Sequence, residues 1–434
     1  MVHHARPRRL VLENGLTILL QRNPLSRAFC AGVWTRTGSR DERARDLGLC
    51  HFLEHMLFRG TRRRDAASIS REIERVGGSF DAFTTRDTMC LYAHVLESNR
   101  ELAFDLLGDM LTGSTFSPAL VDVEKNVVLE EIRDARDAPD DYVHEIFGAE
   151  LFPSHPYGRS ILGTRERVST FVRRDVRRFA TSVLRAPNLV VAVYGNVTMH
   201  EVRRLCDEYL RLSPRAAPPR RNVPVHPGFA RRHVRRRLGQ QYICIGIPTF
   251  SWNDPRRDAL TLLTNIVGGG MSSRLFRHVR DDLGLAYTVY SYADHSRDAG
   301  MMGTFLSVRP SNTGHAIEVT LEELARLRGE GIPSRELEDI RGHVKGRILL
   351  GLETSTSRMM RMAWGELRHG RQVTERELIR RLDDVTLDDV NALACEYLDS
   401  DRQTIVSLGP SSAGLRGMGV TAGAGVRRRR ERAD

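Results

Sequence analysis

The order of apolar and turn-forming segments in this chain runs twice, on either side of a proline- and arginine-rich stretch at 213–228. The first pass opens with Leu10-Val11-Leu12 and Leu16 to Leu20 around Asn14-Gly15, a strong signal for a tight β-hairpin. Phe29 to Thr37 then reads as a strand, and a helix follows that ends near Gly60. A second helix, Ala66 to Val76, stops at Gly77-Gly78. Phe80 to Thr84 and Thr88 to Leu96 read as paired strands, followed by helices near 99–112 and 118–136. The pass closes with the apolar strand Leu189 to Gly195 and a helix near 199–211. The second pass has strands around 233–248, helices at 256–267 and 273–283, and strands at 286–292 and 300–308. Long helices come next, and Gln403 to Leu408 is the last strand. The echo lies in pattern rather than in letters, and it predicts an internal duplication. The expected domains are 1–212 and 229–410, joined by the linker 213–228. A glycine-rich, basic tail at 411–434 is expected to be disordered.

A chain of 434 residues is too long for one ordinary core, and 41% hydrophobic with 28% charged residues describes a globular protein. No run of 18 apolar residues exists to span a bilayer. The start, Met1 to Arg9, has no apolar core and no small-residue cleavage site, so it does not read as a secretory signal. Six scattered cysteines without a C-x-x-C indicate neither a disulfide framework nor a cysteine-zinc site, and a reducing cytosol fits best. The net charge of +11 invites a nucleic-acid reading. Against it, 64 of the 66 basic residues are arginines, interleaved with acids along the chain as in Arg173-Arg174-Asp175. The two dense runs, Arg231 to Arg237 and Arg427 to Arg430, lack interleaved aromatics. Neither a nucleic acid nor a membrane is expected as a partner.

Chemistry concentrates in Cys50-His51-Phe52-Leu53-Glu54-His55, inside an amphipathic helical run. Residues four apart share a helix face, so His51 and His55 can each give a nitrogen to one divalent metal, most often zinc. Glu54 lies about 60° from His51 on the same side, where a carboxylate can take a proton from water. His-x-x-Glu-His is the inverzincin arrangement of a metalloprotease. A catalytic zinc site needs a third protein ligand on another element. The helix around Val121 to Ala135 offers Glu124, Glu130 and Glu131, and spacing alone does not choose between them.

Cys50 to Thr61, with Glu124-Lys125-Asn126-Val127-Val128-Leu129-Glu130-Glu131-Ile132, resembles the pitrilysin, insulinase and mitochondrial processing peptidase superfamily, most of all its short bacterial branch. The likeness extends through Phe83-Thr84, His155-Pro156-Tyr157-Gly158, Ile161-Leu162-Gly163-Thr164 and Gly268 to Phe276, covering about 8–410. It implies an α+β fold of two homologous domains, each an antiparallel sheet packed against helices, forming half of a clamshell. It implies one zinc per chain held by His51, His55 and Glu131, with Glu54 as general base and Glu124 orienting a ligand from behind. The activity implied is cleavage of peptides or unfolded segments inside a chamber.

The second half has no His-x-x-Glu-His and is expected to hold no metal. Its Leu275, Phe276, Val279 and Leu283 fall at helical spacing, which places Arg280 off the apolar stripe. In long members of the family an arginine and a tyrosine seven apart contact the substrate carbonyl, and Arg280 and Tyr287 match that pair. Because this chain has two domains where those have four, the resemblance implies a homodimer in which the pair acts in trans. Asp81-Ala82-Phe83 resembles the edge strand that pairs with substrate, with Asp81 standing where an asparagine is common. The alternative within the family is a non-catalytic structural subunit. Such subunits usually have a broken metal motif, whereas every position of it stands here.

Overall fold

The computed structural model describes residues 6–216, 219–220 and 222–415. The hairpin around Asn14-Gly15 forms as β1 (Arg8–Val11) and β2 (Thr17–Arg22), paired from Arg8↔Leu20 to Val11↔Thr17. With β3 (Ala28–Thr35), β4 (Ser79–Thr84), β5 (Met89–Leu96) and β6 (Leu189–Gly195) it makes a six-stranded sheet in the order β1-β2-β6-β3-β5-β4. The second sheet holds β7 (Arg231–Arg235), β8 (Gln241–Thr249), β9 (Ala286–His295), β10 (Gly300–Val308) and β11 (Thr404–Gly409), ordered β7-β11-β8-β10-β9.

The duplication expected from the sequence pattern shows in the ladders. In one sheet β2 runs parallel to β6, and antiparallel β3, β5 and β4 follow. In the other, β7 runs parallel to β11, and antiparallel β8, β10 and β9 follow. Each sheet is thus antiparallel, as expected, apart from one parallel pair. The parallel pair arises because the last strand of each half returns to the middle of the sheet, which needs a long helical crossover rather than a hairpin.

Two compact units share the chain, and they cut across the contiguous division into 1–212 and 229–410. One takes Met1–Asp134, Arg159–Val223 and Lys345–Arg381; the other takes Ala135–Gly158, Pro224–Val344 and Leu382–Asp434. The break at Val223 falls within the proline-rich stretch, where no helix or strand is described between Tyr209 and Arg231. The sheets explain the exchanged segments. Successive side chains of β6 point to opposite faces, and all seven of its residues are buried, so both faces need apolar cover. Leu189, Val191 and Val193 join the main core of the first unit. Val190, Ala192 and Tyr194 pack instead with Trp34, Met359, Met362 and Ala363, the last three from the helix Ser355–His369. In the second unit the helix Pro139–Leu151 does the same with Val143, Phe147 and Leu151 against Cys244, Phe305 and Val406.

That covering helix in the first unit is also tied electrostatically. Glu366, 1% exposed, accepts hydrogen bonds from Arg9 Nε (2.9 Å) and Nη2 (3.1 Å) and from Arg36 Nη2 (3.0 Å). Burial works against its charge, yet the two guanidinium groups hold the carboxyl below its usual range. Stability from a carboxyl depressed in the folded state is present above the unfolded pKa and is lost as pH falls through the folded one. Glu366→Ala should cost about 2–3 kcal/mol at neutral pH in urea denaturation, with the cost shrinking below about pH 4. An equal cost at pH 7 and pH 3 would contradict this account.

Cys30, Cys50, Cys90, Cys206 and Cys244 are buried free thiols, and Cys395 is an exposed one. His155 anchors a turn, its Nδ1 accepting from the Tyr157 amide at 3.1 Å. No helix among the described residues is long and apolar enough to cross a membrane. Of the stretch expected as a tail, Leu415 is buried. Residues 416–434, with Arg427 to Arg430, lie outside the described residues.

Candidate metal centre

The first helix, α1 (Leu49–Leu57), begins after Gly48, whose φ is +90°. A Cβ on Gly48 would sit 2.5 Å from the Leu162 carbonyl oxygen, and one on Gly163 would sit 2.5 Å from that of Leu47. Glycine at both positions lets the loop at 162–163 close onto the helix start. Glu42, also buried, reaches the same end: its two oxygens accept the N–H groups of Gly48 (2.8 Å) and Cys50 (2.6 Å). Burial pushes this carboxyl up to about 8, while the two amide donors and the positive helix end work the other way. Leu49, Cys50, Phe52, Leu53, Met56 and Leu57 are buried in the core, leaving His51, Glu54 and His55 half-buried on the other side.

Facing them is α4 (Pro118–Asp137), the fourth helix of the chain after α2 (Ala66–Glu74) and α3 (Arg100–Gly113). Its Glu131 Oε2 lies 3.6 Å from His51 Nε2 and 3.5 Å from His55 Nε2, and the two Nε2 atoms are 3.2 Å apart. Bonds of about 2.0–2.1 Å at tetrahedral angles set ligand atoms about 3.3–3.4 Å apart, so this triangle matches one face of a zinc tetrahedron. Glu131 Oε2 is buried and has no hydrogen-bond partner among the described residues, as expected of an atom reserved for a cation. This is the one group among the described residues with spacing fit for a metal ion. Glu130 turns away and pairs with Arg133 at 2.5 Å, both exposed.

Behind the triad, Glu124 is fully buried; its Oε1 bonds His55 Nδ1 at 2.8 Å and its Oε2 accepts from Arg59 Nε. A carboxylate on Nδ1 fixes the tautomer that leaves the Nε2 lone pair free. Burial disfavours the Glu124 anion, but His55 and Arg59 outweigh it and hold the carboxyl below its usual range. Burial, reinforced by the neighbouring His55, pushes His51 down to about 4, so its ring is neutral at pH 7 and fit to ligate. Burial raises the Glu54 carboxyl, which accepts a hydrogen bond from Thr84 Oγ1 on β4.

That strand forms an open edge of the sheet. Thr85 N–H donates to Thr88 O at 2.7 Å, and ladder bonds alternate, so the N–H and C=O groups of Phe80, Ala82 and Thr84 face away from β5. Asp81 is exposed; its Oδ1 accepts from the Ala82 amide (2.8 Å) and its Oδ2 from the Tyr92 hydroxyl (2.9 Å). Phe83 packs beside Tyr92 on the face opposite Thr84.

Arg280 and Tyr287 belong to the second unit. Arg280 lies on a π-type helical segment, Phe276–Asp282, with its guanidinium 4.6 Å from the Phe276 ring centroid. Tyr287, on β9, is 75% exposed. The apolar stripe expected here is only partly buried: Leu275 and Val279 are, but Leu283 is 43% exposed. The wider π-type turn moves it off the face that Leu275 and Val279 share.

Residues 17–165 match the insulinase family, peptidase family M16, and residues 170–342 match the inactive domain of M16 peptidases. An uncharacterized zinc protease of Mycobacterium leprae is 38% identical over 407 residues, covering 93% of this chain and 91% of that protein. The chain belongs to the insulinase family of peptidases. An uncharacterized zinc protease of Bacillus subtilis is 36% identical over 399 residues, covering 91% of this chain and 96% of its own. Among solved structures, a protease from Helicobacter pylori has a TM-score of 0.86 at 21% identity, covering 94% of this chain and 100% of that one. A Pseudomonas fluorescens structure described as a peptidase M16 inactive domain has the same TM-score at 20% identity, covering 94% and 99%. Both share the two-domain fold. The half carrying His51, His55 and Glu131 is the one that matches the insulinase description.

Proposed function

We propose that this insulinase-family chain is a zinc-dependent endopeptidase acting on peptides or unfolded segments, with His51, His55 and Glu131 as the ligands. The observation that carries the reading is the triangle of two imidazole nitrogens and an orphaned carboxylate oxygen beside a fourth group, Glu54. When bound, zinc supplies Lewis-acid activation of water and of the scissile carbonyl. Glu54, its carboxyl raised by burial, takes a proton from the attacking water and returns it to the leaving amine. Thr84 holds Glu54 in place from the edge strand, so the base and the substrate-binding strand share one anchor. The outward amides of Phe80 and Thr84 and the carbonyls of Phe80, Ala82 and Thr84 pair with an extended peptide, a mode that tolerates many side chains, while the Ala82 amide is held by Asp81 Oδ1.

We further assign Arg280 and Tyr287 to stabilising negative charge on the substrate carbonyl of the partner subunit in a homodimer. Their exposure leaves both side chains available to a second copy. Hydrolysis of a quenched fluorogenic peptide by the purified chain, abolished by chelation and restored by zinc, tests the activity. Mixing a Glu54→Gln chain with an Arg280→Ala chain tests the sharing. One site in the mixed dimer is then intact, so activity should return; a mixture no more active than either parent contradicts it.

A further inference from the structure

We propose that Glu42 is a positioning residue for His51, holding the first turn of α1 so that this histidine meets the other two ligands. The inference rests on the metal reading above and concerns what keeps the ligand triangle in shape. The two histidines are oriented by different means. His55 Nδ1 bonds the buried Glu124 at 2.8 Å, which fixes its ring. His51 Nδ1 is also buried, yet it has no hydrogen-bond partner among the described residues. A metal-ligating histidine almost always bonds a second group through its other ring nitrogen, and His51 lacks that support. Its Nε2 is therefore placed by packing and by the backbone that carries it.

That backbone lies in the first turn of a nine-residue helix, where N–H groups have no acceptor within the helix. The usual remedy is a side-chain oxygen at the N-cap, and Gly48 occupies that position with none to give. Leu49 and Cys50 are buried, so water does not serve their amides. Glu42 supplies two acceptors from outside the helix, one oxygen for the Gly48 amide (2.8 Å) and the other for the Cys50 amide (2.6 Å). A carboxylate suits two donors because both of its oxygens accept. The Cys50 bond sits one residue from His51. Without it a buried donor is left unpaired, and the turn shifts to recover a partner. Glu42 is itself fixed: its N–H donates to Ser39 O at 3.3 Å, and Arg159 Nη1 donates to its carbonyl at 3.4 Å. Ser39 and Arg40 in turn donate their N–H groups to Thr85 O (3.2 Å) and Arg86 O (3.0 Å). Those two residues directly follow Thr84, the anchor of Glu54. The segment 39–42 thus ties the start of the ligand helix to the strand end that holds the base.

Competition with a chromophoric chelator measures the zinc affinity of the folded full chain, and urea denaturation of the metal-free chain measures its stability. Glu42→Gln keeps the size of the side chain but turns an NH2 group toward one of the two amides. It should weaken zinc binding at least about tenfold. Glu42→Asp keeps both acceptors but falls one methylene short, and its zinc affinity should lie between those of Glu42→Gln and wild type. Glu366→Ala is the control for stability alone, since it loosens the same unit through the covering helix and touches no ligand. It should unfold at lower urea yet bind zinc as wild type does. In the cobalt(II)-loaded chain, Glu42→Gln should alter the visible ligand-field band because one imidazole is displaced, and Glu366→Ala should not. Wild-type zinc affinity in either folded Glu42 variant would overturn the proposal and leave the metal reading standing. A wild-type chain that binds no zinc would overturn both.

Discussion

Glu54→Gln should lower kcat for peptide hydrolysis by about 10²–10⁴-fold while leaving zinc content and folding intact. Glutamine keeps the shape of the side chain and an oxygen for the Thr84 hydroxyl, so the edge strand stays anchored. It removes only the capacity to accept and return a proton. KM should change little, because the peptide pairing proposed along β4 does not involve the Glu54 carboxyl. If the variant kept near-full activity, proton transfer would have to be assigned elsewhere, and no other described carboxylate stands beside the triad without a role of its own. Loss of zinc with the activity would mean that Glu54 shapes the ligand triangle instead.

Glu131→Ala should weaken zinc binding by more than about 10²-fold and abolish hydrolysis with it. The comparison that gives this force is Glu130→Ala, one residue away. Glu130 is exposed and engaged with Arg133, so its loss should leave metal content unchanged. Glu124→Gln should fall between, costing about 10–100-fold in zinc affinity, because it loosens His55 rather than deleting a ligand. The ordering of the three variants is the expected result, read by metal analysis after dialysis against a zinc buffer. Equal loss in Glu130→Ala and Glu131→Ala would contradict the assignment.

Much of the site was legible in the chain because its geometry is short-range. His51, Glu54 and His55 lie within one turn and a half of a helix, so spacing alone placed them together. Which glutamate faces them depends on how α4 is rotated against α1, a tertiary quantity, and spacing left that open until family resemblance chose Glu131. Arg59 and Thr84 fell within the family-like segments without a role being legible, and Glu42 carried no signal at all. Each acts through a contact made across packed elements: Arg59 to Glu124, Thr84 to Glu54, Glu42 to the amides opening α1.

The fold shows the same division. Strand β6 was readable to the residue, since a strand buried on both faces is an unbroken apolar run. Which segments cover the two sheets was not, because the helices Pro139–Leu151 and Ser355–His369 each pack away from their own half of the chain. Their apolar stripes announce burial but name no partner. The π-type turn at Phe276–Asp282 escaped for a similar reason: helical periodicity assumes 3.6 residues per turn, and the wider turn exposes Leu283 where that period buries it.

Zinc-edge anomalous scattering from crystals of the purified protein tests the central claim most directly. The account predicts a single strong peak about 2.0–2.2 Å from His51 Nε2, His55 Nε2 and a Glu131 oxygen, on the side open to Glu54. A peak on other residues, or none in protein grown with zinc, would contradict it.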